Sequence, residues 1–267
     1  MSVTIAPDTS LLLELGQVPP VVEENVAGQS PFLLTCDHFG RRIPQALRDL
    51  GVSESERARH IAWDIGIAGV ATRLSDLLDA HLIAQVYSRL VIDCNRPFTS
   101  PGSIPTMSEA TVILGNAGLS DRAIAERRDL IFAPYHQRIV DVLDARAQNG
   151  QPTVLIALHS FTPVYAGVQR PWHIGTLYHR DDRLPALLLA ALRNESDLVV
   201  GDNEPYAVDD ATDYAIPVYG EGRGLIHTGI EIRQDLISDA AGETAWGERL
   251  ARIFAGIEGA MKTKGWV

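Results

Sequence analysis

The stretch Thr153–Phe161, TVLIALHSF, decides the fold. Val154 to Leu158 are apolar without a break, which marks a strand buried on both faces in the middle of a sheet. Such a strand needs helices above and below it. Helical patterns do surround it: Val52–His81, Asp121–Gly150, Arg183–Ser196 and Glu243–Gly265 all carry apolar residues at helical spacing. Ser53 and Glu56 have capping-box spacing, Pro134 perturbs the second segment, and Asn149-Gly150 closes it. Further strands are expected over Pro31–Asp37, Trp172–His179 and Gly224–Ile237, a strand leading into a loop over Leu198–Tyr206, and over His81–Ser88 and Arg89–Asn95 a strand pair or one strand with a break. Strands alternating with helices predict a single α/β domain over residues 1–267, with a largely parallel or mixed sheet. Residues 1–30, with an apolar triplet and Pro19-Pro20, read as an arm packed on that domain. The Pro- and Gly-rich segment from Arg96 to Ser120 reads as a long, functional loop.

The chain has 267 residues, with 34 acidic against 23 basic side chains and a formal charge of −11. That field repels phosphate backbones and anionic lipid surfaces, so neither nucleic acid nor membrane is an expected partner. A local cluster of arginines can still hold a small anion. The first 20 residues have no basic leader and no apolar core of signal-peptide length, and no apolar run is long enough to span a bilayer, so a cytoplasmic protein is expected. Cys36 and Cys94 are too few for a disulfide scaffold and read as buried thiols.

In open α/β sheets the ligand crevice lies outside the carboxyl ends of the strands. Four expected strands deliver polar residues there: Asp37 and His38; Asp93, Asn95 and Arg96; His159 and Ser160; Glu231 and Arg233. Two imidazoles and a carboxylate make a catalytic zinc site with one position left open for water. His38 and His159 are the candidate imidazoles. Asp64, in HIAWDIG, is the first candidate for the carboxylate, with an N-cap of a helix beginning at Ile65 as its structural alternative. Asp37 is the other candidate, as a ligand or as a partner behind one. Alternation puts His227, Glu231 and Arg233 on one face of their strand and Ile226, Ile230 and Ile232 on the other. Glu231 is thus a candidate general base and Arg233 an anion or oxyanion contact, or the two form a structural ion pair. Arg89 and Arg96 bracket RLVIDCNR and could grip a carboxylate through paired hydrogen bonds or remain surface ion pairs; His136 follows the helix-perturbing Pro134 and could help orient substrate or merely pack.

Taken together, CDHFGRRIP, AWDIGIAGVA, YSRLVIDCNRP, PYHQRI, LHSFTP, NEPY and IEIRQDLI resemble the N-formylglutamate amidohydrolase family from about Phe32 to Ile237, with features similar to a predicted-amidohydrolase branch. The resemblance implies a three-layer α/β fold similar to the zinc carboxypeptidases (phosphorylase/hydrolase-like), with a mixed central sheet between helices. It implies one Zn2+ held by His38, Asp64 and His159, with Glu231 activating water and arginines near Arg89 and Arg96 facing a small acidic N-acyl amino acid such as N-formylglutamate. Asn95 and Ser160 belong to the same expected substrate surface. Two alternatives remain open: a cysteine hydrolase using Cys36 or Cys94, and a non-catalytic small-acid binder on the same scaffold.

Overall fold

A computed structural model describes Leu12 and residues 18–267. Its main sheet has seven strands, β1 (Val21–Glu24), β2 (Phe32–Cys36), β3 (His81–Gln85), β6 (Val154–Phe161), β9 (Ile174–Leu177), β10 (Val200–Asp202) and β11 (Ile226–Arg233), in the order β1-β3-β2-β6-β11-β9-β10. β2, β3, β6 and β11 are parallel, and β1, β9 and β10 run against them, so the sheet is mixed. Two hairpins stand apart from it: β4 (Met107–Ser108) with β5 (Thr111–Val112), and β7 (Val164–Tyr165) with β8 (Val168–Gln169).

Among the described residues six α-helices complete the fold: α1 (Glu54–Arg57), α2 (Ile67–Leu78), α3 (Asp121–Arg127), α4 (Ala133–Gln148), α5 (Arg183–Arg193) and α6 (Ala240–Thr263). The core divides by strand alternation. Leu34, Ile156, Leu158, Ile230 and Ile232 pack against Leu74 of α2, Leu188 of α5 and Phe254 of α6. Their neighbours Leu33, Ile83 and Leu155 face Tyr135, Ile139 and Leu143 of α4 on the opposite side. Both faces of β6 are therefore covered, and all eight of its residues are buried, as its unbroken apolar run predicts.

Local signals explain several boundaries. The Ser53 hydroxyl accepts the Glu56 amide at the start of α1. Between α3 and α4 the chain makes a π-turn over Arg128–Phe132, because Pro134 has no N–H to continue the α-helical ladder. One expectation fails. Arg89–Asn95 is a turn rather than a strand: the Ser88 hydroxyl accepts the Leu90 amide and donates to the Ala62 carbonyl, and the Val91 amide returns to Ser88 at 2.8 Å. The N-terminal arm includes an edge strand, β1, that its sequence did not announce, and Leu12 is buried in the α4-side core. Leu11 and Leu13 of the apolar triplet lie outside the described residues. Among the described residues no helix is long and apolar enough to cross a membrane.

Candidate active site

His38 follows β2, Asp64 lies in the turn before α2, and His159 is near the end of β6. One ligating atom from each falls within 4.8 Å of the others, and the two imidazole centroids are 5.1 Å apart. The two histidines meet because β2 and β6 are adjacent and parallel, with Thr35 beside Ala157. Asp64 is brought to them by the backbone: its amide donates to the His38 carbonyl at 3.1 Å, and its Oδ2 accepts the Ser160 amide at 3.2 Å. It is not the helix cap. That position is Gly66, at φ +78°, where a Cβ would stand 1.8 Å from the Ile237 carbonyl oxygen.

Each imidazole shows one nitrogen to this cluster and the other to a carboxylate behind it. His38 Nδ1 lies 3.4 Å from Asp64 Oδ2 and has no hydrogen bond, while its Nε2 is 2.8 Å from Asp93 Oδ1. His159 Nδ1 is 3.0 Å from Asp64 Oδ2, and its Nε2 is 3.4 Å from Asp37 Oδ2. Asp93 thus stands in hydrogen-bond reach behind His38, where a carboxylate fixes the tautomer that leaves Nδ1 free to bind metal, and Asp37 stands at ion-pair distance behind His159, its own oxygens without a hydrogen bond. Two Nδ1 atoms and one carboxylate, nearly dry and converging, fit a zinc ion with a position open to the cavity. Burial would raise the Asp64 pKa, but His38 and His159 outweigh it and hold this carboxyl well below the usual range. Burial likewise opposes a charge on His159, yet Asp37 and Asp64 raise its pKa well above that of ordinary imidazole.

The parallel register of β11 and β6 sets Glu231 directly beside His159. Glu231 is 7% exposed, and its Oε2 is buried with no hydrogen-bond partner. Burial, against the pull of His159, pushes its pKa up to about 7. A carboxyl poised there is suited to taking and returning a proton near neutral pH. It opens with His38, Asp64 and His159 onto one cavity of about 710 Å3.

The N-formylglutamate amidohydrolase family model matches residues 30–238. This chain belongs to that family. An N-formylglutamate deformylase of Pseudomonas putida is 28% identical over 211 residues, 74% of this chain and 73% of that protein. A solved gene product of Agrobacterium tumefaciens superposes with a TM-score of 0.91 at 34% identity, covering 94% of this chain and 99% of the other. An N-formylglutamate amidohydrolase from Ralstonia eutropha shares the fold, with a TM-score of 0.65 at 18% identity over 92% of this chain and all of its own.

In this amidohydrolase Arg89, Asn95, Arg96 and Ser160 all line the cavity. Arg89 is anchored by Asp93 Oδ2 at 2.7 Å, and its Nη1 reaches within 3.6 Å of Asp64 Oδ1, so its guanidinium sits at the edge of the His–Asp–His cluster. Arg96 donates to the Thr212 carbonyl, and Asn95 accepts the Tyr214 amide at 3.1 Å, so the two tie down the 209–215 loop. Ser160 gives its hydroxyl to the Ile65 carbonyl at 2.8 Å. Two expected residues lie elsewhere. Arg233, at the end of β11, pairs with Asp235 at 2.8 Å and donates to the carbonyls of Arg170, Pro171 and Trp172, outside the cavity. It forms neither an oxyanion contact nor an ion pair with Glu231. His136 is enclosed by Phe132, Tyr135, Tyr214 and Tyr219, bonds the Tyr219 hydroxyl at 2.7 Å, and is pushed by burial down to about 4; it does not line the cavity.

The cysteine alternative loses its chemistry. Cys36 and Cys94 are fully buried, and burial raises both thiols well above their ordinary value, away from the reactive thiolate. The role of Asp93 is not legible in the sequence beyond its place among polar residues, although its spacing from Arg89 and Arg96 is a signal of pairing. Arg170 is also unforeseen: it lies 4.7 Å from the ring centroids of Tyr165 and Tyr206, bonds the Tyr206 hydroxyl at 2.8 Å, and braces one cavity wall.

Proposed function

We propose that the protein is a zinc-dependent hydrolase that cleaves the amide of an N-formyl or N-acyl acidic amino acid, of which N-formylglutamate is one. The reading is carried by a buried, unpartnered Glu231 set beside a converging His38–Asp64–His159 cluster. Family membership and the activity named for the Pseudomonas putida relative support the substrate class. Zinc held by the three residues would lower the pKa of water toward neutrality and polarise the amide carbonyl.

The side chains of this protein do the rest. Glu231, as a carboxylate, takes the proton of the attacking water and returns it to the departing nitrogen. Arg89, locked by Asp93 and open on its remaining edge, stabilises negative charge on the carbonyl oxygen, the part first expected of Arg233. Arg96 and Asn95 offer donors to a substrate carboxylate. Asp37 and Asp93 hold the imidazoles in place.

Glu231→Gln should bind zinc at one equivalent and lose turnover of N-formylglutamate by about 100- to 10,000-fold, the range for a positioned acid–base group. Near-normal turnover in that variant overturns the assignment of Glu231.

A further inference from the structure

The cavity at the metal cluster does not end there. A second chamber of about 830 Å3 adjoins it, and His60, Glu109, Thr162 and Tyr165 line both. Its walls begin close to the metal ligands: Ile65 follows Asp64, and Thr162 follows His159 by three residues. Beyond the shared boundary the lining is mainly apolar, with Ile65, Ala58, Ala110, Val164 and Ala166. The β7–β8 hairpin contributes Val164, Tyr165, Ala166 and Gly167 to this wall, and Val164 is 39% exposed. The hairpin is held firmly all the same. Arg170 stacks against Tyr165, and Arg233 holds the Arg170 carbonyl at 3.4 Å.

The two chambers differ in chemistry. Arg89 and Arg96 open only on the first; His60 and Glu109 pair at the shared boundary, and Arg59, among the described residues the one charged side chain that lines the second chamber alone, is held by Glu109 and Glu56. N-formylglutamate has about a dozen non-hydrogen atoms and would occupy a minor part of a space sized for drug-like ligands. Its formyl group carries no atom that could reach an apolar chamber. We propose that the second chamber takes the acyl chain of the substrate, so that the enzyme prefers N-acyl amino acids bearing an extended apolar acyl group, with the amino-acid carboxylate on the arginine side. This rests on the reading of the site as an amidohydrolase. The reaction is hydrolysis: water oxygen bonds to the carbonyl carbon, the carbon–nitrogen bond breaks with its electron pair on nitrogen, and nitrogen takes the proton. The products are a longer-chain carboxylic acid and the free amino acid.

The test is a series on one amino acid, N-formyl-, N-acetyl-, N-butanoyl- and N-octanoyl-glutamate, with the zinc-loaded protein. kcat/KM should rise with chain length, by up to about four-fold per methylene buried and at least ten-fold from acetyl to octanoyl. Ala110→Trp, placed in the chamber wall, should cut the octanoyl-to-acetyl ratio at least ten-fold. If formyl is the best substrate and rates fall with length, or if Ala110→Trp leaves the ratio unchanged, the proposal is wrong while the hydrolase reading stands. Binding of the acetyl and octanoyl compounds to zinc-loaded Glu231→Gln, measured by calorimetry, separates the remaining case. Tighter octanoyl binding with no hydrolysis by the unsubstituted enzyme supports the chamber and sinks the hydrolase reading; no hydrolysis and no difference in binding sinks both.

Discussion

Asp93→Asn tests the electrostatic frame of the site most directly. Asp93 is 3% exposed; its Oδ1 accepts the Asn95 amide at 2.9 Å and faces His38 Nε2 at 2.8 Å, while its Oδ2 accepts Arg89 Nη2 and Nε at 2.7 and 3.1 Å. An asparagine keeps one acceptor and places an NH2 at the other position. With the amide oxygen toward His38, both Arg89 bonds are lost; with it toward Arg89, the His38 and Asn95 donors face another donor. Two bonds go either way, at about 1.5–3 kcal/mol each where a charge is involved. Arg89 is 26% exposed and also near Asp64, so water and that carboxylate recover part of the loss. The expected net destabilisation of the metal-free protein is about 2–3 kcal/mol. Removing the carboxylate behind His38 should also weaken zinc binding about 10- to 100-fold. Urea unfolding of EDTA-treated protein reads the first quantity, and competition with a chromophoric chelator reads the second. An unfolding free energy within about 0.5 kcal/mol of the unsubstituted protein, together with a zinc Kd within about three-fold, would refute the frame.

Gly66→Ala should cost about 2–4 kcal/mol, because the residue needs a positive φ and its Cβ would collide with the Ile237 carbonyl; the unfolding midpoint checks the cost, and zinc affinity should fall as Asp64 is displaced. Burial disfavours charged His159, but Asp37 and Asp64 raise its pKa, so its proton stabilises the metal-free fold below about pH 6.5 and that contribution is lost as pH rises through the raised folded value. Zinc competes with the same proton, so zinc affinity should increase with pH and binding should release protons, visible by calorimetry in buffers of different ionisation enthalpy; a pH-independent Kd contradicts this. Iodoacetamide should leave the native protein unmodified at Cys36 and Cys94 and fully active, whereas a strong chelator should abolish turnover and added zinc restore it, both followed by activity and mass spectrometry.

Periodicity and composition by themselves determined the layered α/β architecture, the central place of β6, the break at Pro134 and the pairing of His38, His159 and Glu231 with strand ends. These follow from local rules: an apolar run buried on both faces has few places to sit, and a missing N–H acts on its own helix. The ordered motifs also made Asp64 a candidate ligand, although its spacing alone left a helix cap equally open. Only the tertiary structure removed the cap role, because the N-cap of α2 is Gly66, packed where a Cβ would meet the Ile237 carbonyl far along the chain, while Asp64 stands between His38 and His159. The same holds for the arginines. Arg233 shares a strand face with Glu231, yet its long side chain reaches the carbonyls of residues 170–172, while Arg89, in a turn read as a strand, arrives at the cluster. Strand alternation specifies the direction in which a side chain leaves the backbone; where a flexible charged group finds its partners depends on which distant segments the fold packs beside it.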